Sequence, residues 1–151
     1  MKTWTLHEGL ASEAQILAHL TDCGLRFVPP LGERVDLAEY AARLHARARC
    51  YEAWSDGRLV GLVAEYFDET QGGAFVSNVS VEEAFLGQGI ASTLLAHGIA
   101  QASAAGLGQV RLEVDRANAP ARRLYEKHGF RACPGGSEQV LMQLDLPGGL
   151  P

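Results

Sequence analysis

Apolar residues in the first third of the chain recur with helical spacing in two segments. Ser12 precedes the first segment, which runs to about Leu20, and Asp36 precedes the second. Serine and aspartate are favoured N-caps, because their side chains accept a hydrogen bond from a free backbone N–H at the helix start. We therefore predict two amphipathic helices here. Their apolar faces consist of Ile16, Leu17 and Leu20 in the first helix and of Leu37, Tyr40, Ala41 and Leu44 in the second.

Shorter segments rich in alternating or β-branched apolar residues predict seven strands. These strands are Thr3–Leu6, Cys50–Trp54, Arg58–Tyr66, Gly73–Val81, Val110–Val114 and two last strands near Phe130–Ala132 and Gln139–Leu144. The turn sequence Ser55-Asp56-Gly57 predicts that the second and third strands form a hairpin.

The strand Gly73–Val81 is expected to alternate strictly, because successive side chains of a strand point to opposite faces of the sheet. The predicted faces are Phe75, Ser77, Val79 and Val81 on one side and Val76, Asn78 and Ser80 on the other.

Two further helices are predicted in the second half of the chain. Residues Gly89–Ala105 have helical spacing and end before Gly106, which adopts the left-handed conformation easily. Asn118 opens a shorter helix that ends at His128, with Pro120 in its first turn, where proline is tolerated. The residues expected to point inward from the longer helix are Ile90, Leu94, Leu95, Ile99 and Ala102.

The predicted order of elements is therefore β-α-α-β-β-β-α-β-α-β-β. Residues Gly73–Val114 form a β-α-β unit, whose right-handed crossover makes its two strands parallel. Hairpins make the other pairs antiparallel, so we predict an α/β fold with a mixed central sheet. Only Phe27–Gly32 and Pro147–Pro151 are predicted to be irregular, and residues 1–151 are expected to form a single domain.

Composition narrows the classes of function. The net charge of −5 disfavours a nucleic-acid or anionic-membrane partner. Cys23, Cys50 and Cys133 lie far apart, which predicts neither a disulfide framework nor a metal site and fits a reducing cytoplasm. The sequence has no signal-peptide pattern and no apolar run of membrane-spanning length. We expect a cytoplasmic protein without a metal.

Basic residues are concentrated in one part of the chain. Six of the thirteen Lys and Arg residues lie between positions 111 and 131: Arg111, Arg116, Arg122, Arg123, Lys127 and Arg131. This cluster is either a site for a small polyanion or a solvated helix face.

The segment that indicates function most clearly is a glycine-rich turn between a predicted strand and a predicted helix, Leu86-Gly87-Gln88-Gly89-Ile90-Ala91-Ser92. We call it the glycine turn. Backbone N–H groups at a helix start lack internal partners, and the helix dipole favours an anion there. Glycines let a phosphate approach the backbone closely. A Walker loop would need Gly-Lys-Ser/Thr, and a dinucleotide fingerprint would need a third glycine where Ser92 stands, so neither fits.

This turn resembles the coenzyme-A loop of the GCN5-related N-acetyltransferases (GNAT), whose pattern is Gln/Arg-x-x-Gly-x-Gly/Ala. The resemblance continues through Leu112-Glu113-Val114 and through the segment from Asn118 to Phe130. It implies acetyl-CoA as the acyl donor and a primary amine, on a small molecule or a peptide, as the acceptor; a homodimer is also common in the family. Leu86 departs from the family's Gln/Arg, which predicts a weaker affinity for the cofactor but the same cofactor. The implied cofactor contacts are Val79, Ser80, Val81, Leu86, Gly87, Gln88, Gly89, Ile90, Ala91, Ser92, Asn118, Ala121 and Tyr125.

The resemblance also implies catalytic residues. Tyr125 matches the family's tyrosine, the general acid that protonates the leaving thiolate. Glu113 lies twelve residues earlier, as does the base of family members that acetylate ribosomal proteins, but it is also a candidate solvated strand residue. Glu65, or water ordered by Asn78 and Ser80, are the alternative bases. No histidine is assigned a role.

Three hypotheses of function remain open at this point: an N-acetyltransferase, a non-catalytic acyl-CoA sensor and an N-terminal protein acetyltransferase. The acceptor pocket is expected within Phe27–Arg49 and Cys133–Gln143, which match no specificity motif.

Overall fold

A seven-stranded sheet with helices on both faces forms the centre of the fold. The computed structural model describes residues 2–27 and 29–147; Val28 of the predicted loop and residues 148–151 of the predicted tail lie outside this range. The helices are α1 (Glu13–Gly24), α2 (Leu37–Arg47), α3 (Ile90–Ala104) and α4 (Ala119–Lys127). The strands are β1 (Thr5–Glu8), β2 (Arg49–Ser55), β3 (Arg58–Asp68), β4 (Gly73–Val81), β5 (Gln109–Asp115), β6 (Arg131–Ala132) and β7 (Gln139–Asp145).

The strands lie in the order β1-β2-β3-β4-β5-β7-β6. The β4–β5 pair is parallel and every other neighbouring pair is antiparallel. The predicted parallel crossover and the mixed α/β sheet are therefore confirmed, and the elements follow the predicted order along the chain.

The predicted caps of α1 and α2 are formed. The Ser12 side chain accepts a hydrogen bond from the backbone N–H of Gln15, whose side chain in turn accepts one from the Ser12 N–H. Asp36 accepts from the N–H of Glu39. Helix α1 continues four residues beyond the predicted end at Leu20, because Cys23 extends its buried face.

Each face of the sheet carries its own core. We call the two faces the α1–α2 face and the α3–α4 face, after the helices that cover them. Ile16, Leu20 and Leu44 pack on the first face, and Leu94, Leu112 and Tyr125 pack on the second. Within the described residues, no helix is long and apolar enough to cross a membrane.

Strand β4 contains a β-bulge, which makes its predicted alternation wrong. Ala64 of β3 pairs with Asn78, but the next residue, Glu65, pairs with Val76, so Ser77 has no partner. An extra residue in one strand shifts the phase of alternation beyond it. Asn78 and Ser80 therefore share the α1–α2 face with Phe75, whereas Val79 and Val81 join the core of the α3–α4 face with Val76.

The parallel pair separates at the same level. β4 and β5 are paired from Gly73 and Gln109 as far as Val76 and Leu112, although the strands continue to Val81 and Asp115. The bulge bends β4 at this point, and the two strands leave a gap in the sheet.

Gly61 of β3 allows α3 to begin close to the sheet. A Cβ at this position would lie 2.7 Å from Ile90 Cγ2 and 3.2 Å from Ala53 Cβ. Ile90 is β-branched and has little rotamer freedom in a helix, so the start of α3 would have to move. We expect Gly61→Ala to lower the free energy of unfolding by about 1–3 kcal/mol, measured by denaturant titration.

The matched control is Gly32→Ala, where an added Cβ meets nothing within 4 Å. Equal unfolding free energies for the two variants would mean that close packing at Gly61 does not hold α3 against the sheet.

Candidate active site

The gap between β4 and β5 opens into a cleft of about 540 Å³. Its walls come from the separated halves of both strands, from α4, and from the segment that joins α1 to α2. The cleft reaches both faces of the sheet, since it is lined by Tyr40 of α2 and by Tyr125 of α4. A single ligand in the gap can therefore contact groups on both sides of the sheet.

The glycine turn lies where β4 leads into α3. Gly87 and Gly89 have φ angles of +81° and +76°, which strain any residue with a side chain, and an added Cβ at either position would meet nothing within 4 Å. The N–H of Thr93 makes the first helical bond, to the carbonyl of Gly89. The preceding N–H groups at the start of α3 thus have no helical partner, as an anion-binding turn requires.

The predicted cofactor residues fall into two groups. Those that line the cleft are Val79, Ser80, Val81, Leu86, Ala91, Asn118, Ala121 and Tyr125. Gly87, Gln88, Gly89, Ile90 and Ser92 lie outside its lining, next to Leu86 and Ala91. Ile90 is buried in the core, so only its backbone can serve a ligand. The Ser92 hydroxyl lies 2.9 Å from Nε2 of His128 and joins α3 to α4.

Tyr125 projects from α4 into the cleft wall. Its ring packs edge-on against Phe130, with centroids 6.0 Å apart. Burial raises the pKa of Tyr125 to about 12. The phenol therefore carries its proton at neutral pH, which a general acid must do.

Asn118 caps α4, as the sequence predicted. Its Oδ1 accepts a hydrogen bond from the N–H of Ala121 at 3.2 Å, and both residues line the cleft. Ala121 is one turn before Tyr125, and its small side chain leaves space beside the tyrosine.

The two carboxylates considered as bases have different surroundings. Glu113 is exposed and lines the cleft. Its neighbours Leu112 and Val114 point into the α3–α4 core, so Glu113 points to the α1–α2 face. Glu65 is fully buried, does not line the cleft, and accepts a hydrogen bond from the Tyr51 hydroxyl at 2.9 Å. Desolvation raises the pKa of Glu65 to about 7, opposed by the Tyr51 hydrogen bond and by Arg49.

Sequence reasoning missed a buried polar chain behind the cleft. Nε2 of His19 in α1 lies 2.9 Å from the Ser80 hydroxyl, which donates to Asn78 Oδ1 at 2.8 Å. Tyr40 of α2 donates from its hydroxyl to the carbonyl of Ser77, at the bulge, at 2.9 Å. A signal for His19 was available, because it falls on the same helical face as Ile16, Leu20 and Cys23. A histidine on that face is buried and needs a polar partner.

The basic cluster predicted from the sequence lies mostly on the surface. Five members of the basic cluster are exposed and one, Arg122, is half-buried; Arg111 donates to Gln143 and Arg116 to the Ser137 carbonyl. Among residues 2–27 and 29–147, no group of three or more His, Cys, Asp or Glu side chains could hold a metal ion.

Comparison with known proteins shows the family to which the chain belongs. The sequence profile of the "Acetyltransferase (GNAT) family" matches residues 14–130, which include the glycine turn, Glu113 and Tyr125. The chain belongs to this family. GNAT acetyltransferases use acetyl-CoA as the acyl donor, and their fold is the one observed here.

One curated GNAT relative has a similar sequence over part of the chain. Streptothricin acetyltransferase of Streptomyces lavendulae is 32% identical over 89 residues, which are 59% of this chain and 46% of that protein. The chain thus spans less than half the length of this curated relative.

Solved GNAT structures resemble the chain in fold. The ribosomal-protein-S18-alanine N-acetyltransferase of Escherichia coli has a TM-score of 0.75 at 21% identity and covers 95% of this chain and 94% of its own. The PaiA N-acetyltransferase of Thermoplasma acidophilum, solved with coenzyme A, has a TM-score of 0.76 at 14% identity. The match covers 93% of this chain and 99% of that protein's chain.

Leu86 is the position at which this GNAT chain differs from the pattern of the coenzyme-A loop. Its side chain is 54% exposed and cannot donate a hydrogen bond, unlike glutamine or arginine. The backbone donors of the turn are unaffected, because they belong to the start of α3.

Proposed function

We propose that the chain transfers the acetyl group of acetyl-CoA directly to a primary amine. The observation that carries this proposal is the gap between β4 and β5, which has Tyr125 on one side of the sheet and Glu113 on the other. A thioester in the gap would face a protonated phenol and a carboxylate from opposite sides. Residues 1–151 would then form one acetyltransferase domain.

The residues around the gap suit the parts of the cofactor. The backbone of Val79–Val81 is unpaired with β5 and can bind the pantetheine arm as a further strand. The N–H groups from Gly87 to Ser92 suit the diphosphate, since they combine free donors with the positive end of a fifteen-residue helix. Asn118 and Ala121 line the part of the gap next to Tyr125.

Direct acetyl transfer needs a proton acceptor for the amine and a proton donor for the leaving thiolate, and the two candidate groups lie on opposite faces of the sheet. An alkyl amine has a pKa near 10.4 in water and attacks only after losing a proton, which Glu113 can accept. Backbone N–H groups of β4 can stabilise the oxyanion that develops on the thioester carbonyl. Tyr125 can protonate the departing thiolate, and burial preserves its proton until that step.

Glu113→Gln tests the base. We expect kcat/KM at pH 7 to fall about 10- to 100-fold, towards the low end for general bases, because water also reaches this exposed position. The loss should shrink as the pH approaches the pKa of the acceptor, where the amine is neutral without help. A pH profile of both proteins measures this, and a loss that stays constant with pH would remove Glu113 as the base.

One assay tests the function itself. Acetyl-CoA is mixed with primary amines, sugars, polyamines and peptides; thiol release is followed by colorimetry and the product is identified by mass spectrometry. Acetylated amine supports the proposal. Calorimetric binding of coenzyme A with no transfer to any acceptor would favour the non-catalytic sensor, and transfer to peptide N-termini alone would favour a protein acetyltransferase.

A further inference from the structure

The directions of the hydrogen bonds in the buried polar chain behind the cleft can be assigned from its end at Asn78. The hydroxyl of Ser80 donates its only proton to Asn78 Oδ1, so Nε2 of His19 must be the donor to Ser80. Burial lowers the pKa of His19 to about 4, so this histidine is neutral and supplies one N–H here. This series of hydrogen bonds thus ends at Asn78 Oδ1 and does not include the Asn78 amide nitrogen.

The amide nitrogen of Asn78 is left without a partner. The residue is 3% exposed, it lines the cleft, and Nδ2 makes no hydrogen bond with any described group. Burial raises the pKa of Tyr40 and the nearby Asn78 lowers it, but Nδ2 of Asn78 and the Tyr40 hydroxyl do not meet the geometry of a hydrogen bond. The Tyr40 hydroxyl is instead directed to Ser77. A buried amide without a partner destabilises the fold, so a ligand that supplies an acceptor recovers part of that free energy.

The β-bulge at Ser77 determines which face of the sheet the Asn78 side chain points to. With regular alternation through Ser77, Asn78 would share the α3–α4 face with Val76; the bulge at Ser77 turns it to the α1–α2 face instead. Glu113 points to the same face from β5, across the gap. The cleft is therefore lined by Asn78 on its β4 wall and by Glu113 on its β5 wall.

We propose that Asn78 binds a carbonyl oxygen of the acceptor, so that the acceptor is an α-amino carbonyl compound: an amino acid derivative or a peptide N-terminus. An ammonium has N–H donors only, and the lone pair of the neutral amine is needed for attack on the thioester, so neither supplies the acceptor that Nδ2 needs. One molecule that carries both groups on adjacent carbons meets both walls. This inference rests on the proposed acetyl transfer.

Matched acceptors test the inference. L-alaninamide carries the carbonyl, and sec-butylamine has the same carbon framework around the amine without it. The wild-type protein and Asn78→Ala are compared on both by steady-state kinetics. We expect Asn78→Ala to lose about 10-fold in kcat/KM for alaninamide, mainly through KM, and less than about 2-fold for sec-butylamine. Because each protein is measured on both acceptors, differences in amine pKa cancel.

Asn78→Asp gives a second reading that depends on the direction of the amide. An ionised aspartate accepts hydrogen bonds and repels a carbonyl oxygen, so it should lose at least as much on alaninamide as alanine does. Retained selectivity in Asn78→Asp would mean that an acceptor faces the cleft, and the proposal would be wrong. Ser80→Ala, which frees the amide to rotate, should show the same selective loss, and Ser80→Thr should restore the preference.

Control measurements distinguish a failure of this inference from a failure of the proposed acetyl transfer. Coenzyme A affinity and thermal unfolding are measured for each variant, and Asn118→Ala should weaken coenzyme A binding without changing the preference between acceptors. An equal loss on both acceptors in Asn78→Ala overturns the inference alone. No transfer by the wild-type protein to any acceptor overturns the proposed function and the inference with it. Alanine and an alanine-headed peptide in the same assay distinguish the two sources of the amino carbonyl group.

Discussion

Tyr125→Phe should lower kcat by about 10²- to 10⁴-fold while leaving the affinity for coenzyme A unchanged. The substitution removes one oxygen and keeps the ring, whose edge-on packing against Phe130 fills the core of the α3–α4 face. Without the phenol, the thiolate leaves unprotonated or takes its proton from water. Single-turnover kinetics with saturating acetyl-CoA isolates this step.

Tyr66→Phe is the matched control, since Tyr66 lies on β3 and outside the cleft lining. It should retain wild-type turnover. If Tyr125→Phe also turned over at the wild-type rate while binding coenzyme A normally, Tyr125 would have no part in proton transfer. If it bound coenzyme A poorly, its hydroxyl would serve the cofactor instead.

The large elements of this fold could be predicted because each is encoded locally. The caps at Ser12 and Asp36 and the spacing of apolar residues after them specify α1 and α2 without reference to the rest of the chain. The parallel pairing of β4 and β5 follows from the helix between them, which carries the chain back across the sheet.

The chemistry-bearing face of β4 could not be predicted in the same way. Strict alternation assumes one residue opposite one residue, whereas Ser77 is an extra residue that only the partner strand reveals. The predicted alternation placed Asn78 and Ser80 on the same face as Val76. In the structure both side chains point instead to the face covered by α1 and α2. A bulge is a property of a pair of strands, so a single strand's pattern does not encode it.

Glu65 shows a second limit of the same kind. Its position on a strand next to the predicted cleft made it a candidate base, but register and strand order place it under α3, against Gly98. Sequence gives a residue's type and the strand that carries it, while the direction of its side chain relative to a cleft depends on neighbours distant in the chain. Glu65 therefore lies in the core under α3 and not in the lining of the cleft.

Glu65→Gln should stabilise the protein at neutral and alkaline pH. Desolvation raises the pKa of Glu65 in the folded state to about 7, against 4.5 as its ordinary value. Between these two pH values the unfolded chain loses a proton that the folded chain keeps, so the free energy of unfolding falls as the pH rises. Above pH 7 both states are ionised, and the accumulated loss is about 3 kcal/mol, at 1.36 kcal/mol per pKa unit.

Glutamine resembles the protonated carboxyl at every pH. Its carbonyl can still accept the hydrogen bond from Tyr51, and it carries no charge to desolvate under α3. The difference in unfolding free energy between Glu65→Gln and the wild type should therefore be near its minimum at pH 4.5 and rise by about 3 kcal/mol by pH 8. Denaturant titrations across this range measure it, with the exposed Glu69→Gln as the control that should show no such rise. A difference that did not change with pH would mean that Glu65 is ionised in the folded protein at pH 4.5 to 7, and that its burial under α3 is relieved in solution.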